Sequence, residues 1–111
     1  TSNICTNQGL CALAFTVHMA LLGEDGFKNL AILNHEAAIR TADALAKVKG
    51  VELVTKNFFN EFTIQLSKES QGAVKSLANE GIVAGYALEK NRLLVASTEM
   101  TTDHDIRIFA D

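Results

Sequence analysis

At 111 residues, 48% apolar and 21% charged, with a formal net charge of −3, the chain has the length and balance of one small globular domain. It contains no dense run of Lys or Arg, which argues against an electrostatic nucleic-acid surface and against a polybasic membrane patch. No basic region precedes the first apolar run, so that run does not read as a signal peptide.

The opening TSNICTNQGLCALAFTVHMALLG carries no formal charge, and the first charged residue is Glu24. Thr6 is placed to cap a helix that runs to Leu22. One side of that helix presents Leu10, Leu13, Ala14, Val17 and Leu21. The other presents Cys11, Phe15, His18 and Leu22, which is also mostly apolar. The run from Leu10 to Leu22 is shorter than the about 20 residues a bilayer crossing needs, and Thr16 and His18 interrupt it. A buried helix is therefore expected, not a spanning one. A helix that is apolar all round needs cover all round, and a small sheet shelters one side only. The side carrying Phe15, His18 and Leu22 is thus expected to meet another domain or another chain, or to make the isolated chain self-associate. Cys5 and Cys11, six apart, would point about 120° away from each other on one helix. They read as two reduced, partly buried thiols in a reducing compartment, the cytoplasm.

Gly23-Glu24-Asp25-Gly26 reads as a turn. A second helix is predicted from Phe27 to Lys49, with Phe27, Leu30, Ala31, Leu33, Ala37, Ala38, Ala42, Leu45 and Ala46 on its inner face. Glu36/Arg40 and Asp43/Lys47 are spaced for i,i+4 ion pairs on its wet side, and Gly50 supplies a stop. His35, at the inner boundary, reads as a packed or capping histidine. Val51 to Val54 forms a short strand. Phe58 to Leu66 alternates Phe62, Ile64 and Leu66 against Glu61, Thr63 and Gln65, the pattern of a half-buried antiparallel strand. A helix over 69–79 carries Ala73, Val74 and Leu77 inward and ends at Gly81. Ile82 to Ala84 is a short strand before a Gly85-Tyr86 turn, and Arg92 to Ser97 is a strand buried on both faces. Thr102-Asp103-His104-Asp105 resembles a capping box that opens a last helix carrying Ile106, Ile108 and Phe109. The order α-α-β-β-α-β-β-α predicts an α+β fold, a mostly antiparallel small sheet with helices packed on one face.

Chemistry is sparse. Walker and dinucleotide patterns are missing, the three histidines lack ligand spacing, and no metal site is read. The acids around His104 suit a helix N-terminus. Ser97-Thr98 has no nearby base, and no lysine sits in an apolar pattern that would activate it.

Four blocks nevertheless resemble one family. TSNICTNQGLCALAFTVHMALLGEDGFKNLA, FFNEFTIQL, EGIVAGYAL and LLVASTEMTT are similar, in this order, to the first subunit of two-subunit glycine dehydrogenases (decarboxylating), the P-proteins of the glycine cleavage system. Gly9, His18 and Ala84 depart from the residues common there. The resemblance implies the fold-type-I architecture of pyridoxal phosphate enzymes. This chain would be the small C-terminal α/β domain, with residues 1–23 as the inter-domain helix, 24–111 as the domain body, and a large domain missing. It implies a parent that decarboxylates glycine on pyridoxal phosphate and passes the aminomethyl group to the lipoyl arm of the H-protein. The Schiff-base lysine would belong to the second subunit, no catalytic residue would lie here, and the chain alone would be inactive. Thr1, Ser2 and Asn3 match a loop that in related enzymes approaches the cofactor phosphate held by the partner chain; a helix cap at a domain hinge is the plainer role for them. Two other readings stand beside this one. One is a freestanding ferredoxin-like dimerisation or small-ligand binding module. The other is a different fold-type-I enzyme such as a hydroxymethyltransferase, against which TSNICTNQ speaks.

Overall fold

The computed structural model describes residues 8–111. The Thr6 cap, Cys5, and Thr1, Ser2 and Asn3 lie outside the described residues. Seven elements follow in chain order: α1 (Gly9–Leu45), β1 (Val51–Leu53), β2 (Glu61–Leu66), α2 (Ser70–Asn79), β3 (Tyr86–Leu88), β4 (Arg92–Ala96) and α3 (Asp103–Ala110).

The two opening helices expected from the sequence are present as two helical segments of α1 that meet at a kink. Gly23 alone leaves helical torsions, at φ 64° and ψ −175°, a region that glycine occupies almost exclusively. The expected four-residue turn therefore shrinks to one residue. Glu24 and Asp25 restart the helix where acids favour the N-terminal end of the dipole, and Glu24 pairs with Lys28 at 2.5 Å. The helix stops at Leu45, four residues short of Lys49. Its end tightens through Lys47 N–H to Ala44 O at 3.1 Å and Val48 N–H to Leu45 O at 3.0 Å. Gly50 sits beyond these turns at φ 89°, where its carbonyl accepts from Ser67 N–H at 2.8 Å and starts the β1–β2 ladder.

Contacts divide the chain into two compact units, one ending at Ala31 and one running from Ile32 to Asp111. The second unit holds a four-stranded antiparallel sheet in the order β1-β2-β4-β3. Its register places Phe62 opposite Val95 and Ile64 opposite Leu93, all four buried. Ala42 and Leu45 of α1, Val74 and Leu77 of α2, and Phe109 and Ala110 of α3 pack with them. The helices thus share one face of the sheet, as the α+β reading expects, and Glu61, Thr63 and Gln65 point to the other.

Three strand expectations change. Arg92 to Ser97 was expected to be buried on both faces, but Leu94 is half-buried and Ala96 exposed, because helices cover one face only. The strand of Phe58 to Leu66 begins at Glu61; Phe58 instead packs against the core, its ring 5.0 Å from that of Phe62, and Phe59 stacks on His35. Ile82 to Ala84 is not a strand. Gly81, at φ 82°, closes α2 with Gly81 N–H to Ala78 O at 3.0 Å and Ile82 N–H to Leu77 O at 2.9 Å, the paired bonds of a Schellman end. The third strand starts only at Tyr86. Just before it, Gly85 adopts φ 139°, and a Cβ there would overlap the Leu94 carbonyl oxygen.

The last helix is capped as its sequence suggests. Thr102 Oγ1 accepts from Asp105 N–H at 3.2 Å, and Asp105 Oδ2 accepts from Thr102 N–H at 2.9 Å. Both halves of the capping box are present.

Candidate functional site

In the first unit the apolar helix surface is not covered. Leu10 and Leu21 are 80% and 83% exposed, and Leu13 and Val17 are exposed as well. This corrects the expectation that the sheet would shelter their side. Of the expected interface residues, Phe15 is 64% exposed, His18 is exposed and Leu22 is half-buried. Cys11 is an exposed free thiol, not the partly buried one expected. Further along α1, Phe27 and Leu33 are exposed too, although helical spacing put them inside. The stretch from Glu24 to Leu45 is about 33 Å long at 1.5 Å per residue, whereas strands of this length reach about 20 Å. So small a sheet can bury only the end of that helix, and the buried residues of α1 are Ala37, Ala38, Thr41, Ala42 and Leu45.

The same helix is long and apolar enough to cross a membrane by length and composition, with mean hydropathy 1.3 over its best window and none of that window buried. Its break is informative here. The uncharged helical stretch from Gly9 to Leu22 spans about 21 Å, short of the about 30 Å hydrocarbon core, and Gly23, Glu24 and Asp25 follow at once.

In the second unit a cleft of about 290 Å³ lies between residues 81–84, the 97–101 loop and α3. At its floor Ser97 Oγ donates to Thr41 Oγ1 at 2.9 Å, and Thr41 Oγ1 donates to Ala37 O at 2.8 Å. Both hydroxyls are buried and both are satisfied, so Ser97 is a tie between β4's end and α1, not an activated nucleophile. Asp105 lines the same cleft. Its carboxyl is held below the usual Asp value, chiefly by the Thr102 side-chain hydrogen bond, then by the Thr102 backbone N–H, with His104 assisting and desolvation opposing.

His35 is a packed histidine, as read from the sequence. Its ring stacks on Phe59 with centroids 5.8 Å apart and meets Phe58 edge-on at 6.4 Å. Nδ1 lies 2.8 Å from Phe59 O; a carbonyl only accepts, so Nδ1 carries the hydrogen. The expected Glu36/Arg40 and Asp43/Lys47 pairs are not among the ion pairs of the described residues. Arg40 Nε instead donates to Asp103 Oδ1 at 3.1 Å, reaching the start of α3. Among the described residues no group of three His, Cys, Asp or Glu side chains could hold a metal ion.

The family model of the glycine cleavage system P-protein matches residues 1–110. The chain belongs to the glycine cleavage system P-protein family. Among P-protein relatives, the probable glycine dehydrogenase (decarboxylating) subunit 1 of Maricaulis maris is 52% identical over 99% of this chain and 26% of its own length. That of Erythrobacter litoralis is 51% identical over 96% of this chain and 25% of its own length. A crystal structure of glycine decarboxylase (P-protein) of the glycine cleavage system, in inhibitor-bound form, superposes with a TM-score of 0.89. It is 32% identical and covers 98% of this chain and 26% of that one. A phosphoserine aminotransferase from Cytophaga hutchinsonii, 12% identical with a TM-score of 0.61 over 86% of this chain and 27% of its own, shares the fold alone. The chain spans about a quarter of the length of the P-proteins it matches.

No lysine of this chain has the desolvated setting that commonly activates a Schiff-base amine. All seven lysines, from Lys28 to Lys90, are exposed, and a Schiff-base lysine is normally desolvated or set beside another cation to make its amine reactive.

Proposed function

We propose that this chain is the C-terminal small-domain part of the first subunit of a glycine-decarboxylating P-protein. The parent assembly would decarboxylate glycine with pyridoxal phosphate and pass the aminomethyl group to the lipoyl arm of the H-protein. The second subunit would supply the Schiff-base lysine, and this chain would contribute surface and positioning, not a catalytic residue. Residues 1–23 would form the helix that connects a large domain to the body over 24–111. Thr1, Ser2 and Asn3, which lie outside the described residues, are the proposed contact to the cofactor phosphate, since hydroxyl and amide side chains can donate hydrogen bonds to an anion. An exposed free thiol at Cys11 fits a reducing compartment, the cytoplasm.

The observation that carries this reading is the family match over residues 1–110 together with an apolar helix left exposed on both flanks. Contiguous exposed apolar surface of this kind marks a site that meets another protein surface. The flank with Phe15, His18 and Leu22 is the proposed interface. A freestanding dimerisation module would need the same flank covered by a second copy, so the two readings separate by what binds there.

The decisive experiment is to co-express the full reading frame containing this chain with the second subunit and to assay glycine–bicarbonate exchange with lipoylated H-protein. Exchange that disappears when either subunit is omitted is the expected result. A folded two-subunit complex without exchange overturns the proposal. For the 111-residue chain alone, borohydride reduction after incubation with pyridoxal phosphate should fix no cofactor on any one lysine. A single specifically labelled lysine would place the Schiff base here and reverse the assignment. Equilibrium sedimentation should show self-association that weakens in Phe15→Ser and Leu22→Ser, whereas a clean monomer that binds no apolar dye would remove the interface.

A further inference from the structure

We draw no further inference here: the strongest candidate, the cleft of about 290 Å³ between residues 81–84, the 97–101 loop and α3, has its buried Thr41 and Ser97 hydroxyls already hydrogen-bonded and an exposed apolar rim at Val83 and Met100 for which nothing in the structure shows what covers it.

Discussion

Leu10 and Leu21 in the first unit are 80% and 83% exposed, whereas Phe62, Ile64, Leu93 and Val95 in the second are all at 2% or less. Both regions are rich in large aliphatic and aromatic side chains, so the difference does not come from composition. In the second unit, antiparallel pairing sets Phe62 beside Val95 and Ile64 beside Leu93, and three helices close over that face. Among its described residues the first unit is helical with no second layer of its own. Apolar density becomes a core only where another element is positioned to cover it, and a helix side without such a partner is available for association.

The contrast can be broken most sharply at Phe62. Phe62→Ala should cost about 3–5 kcal/mol of folding stability, through lost burial and the cavity left behind. Phe15→Ala should stay within about 0.5 kcal/mol, as an exposed substitution does, while still weakening association. Urea unfolding of both variants reads the difference directly. Equal losses would mean that the first unit shares the core of the second.

A backbone test comes next. Gly85→Ala forces an alanine to φ 139° and its Cβ into the Leu94 carbonyl. Strain alone should cost about 1–3 kcal/mol. Hydrogen exchange should show the loss of protection concentrated in Tyr86–Leu88, with α1 unaffected.

Of similar or smaller size is the buried hydroxyl pair. Thr41→Val leaves Ser97 Oγ without its acceptor and should cost about 1–3 kcal/mol. Adding Ser97→Ala removes the stranded group, so the double variant should lose less than the sum of the singles in a thermodynamic cycle.

The smallest effect belongs to the α3 cap, where Thr102→Ala should cost about 1 kcal/mol. Because Asp105 is held below the usual Asp value by Thr102, its folded form favours the ionised carboxylate. That contribution is fully present above the ordinary carboxylate value of about 3.9 and is lost as pH falls through the lowered folded value. An acid titration of stability should therefore be shallower in Thr102→Ala than in the parent, and identical slopes would remove the carboxylate from the cap.

Some features were legible because they are local. The alternation of Phe62, Ile64 and Leu66 identified an inward strand face, the Thr102–Asp105 spacing identified a cap, and Gly81 identified a helix end. Each rests on backbone geometry within a few residues. Recognition of the family likewise needed only the order of short blocks. The turn composition of Gly-Glu-Asp-Gly predicts a longer turn at Gly23, and only the torsions show that one residue suffices. Thr41 carried no signal beyond a hydroxyl on an alanine-rich helix face, since its partner Ser97 is 56 positions away.

By itself, then, the amino-acid order determined the helices and strands with a strong period, the Thr102 cap and the Gly81 stop, and the family. Tertiary structure alone decided that Arg40 pairs with Asp103 instead of Glu36, that Leu94 is only half-sheltered, that the third strand waits until Tyr86, and that the buried residues of α1 begin only at Ala37. The reason is range: periodicity and backbone sterics act over a few neighbouring residues, whereas burial and pairing depend on what the fold brings across the gap.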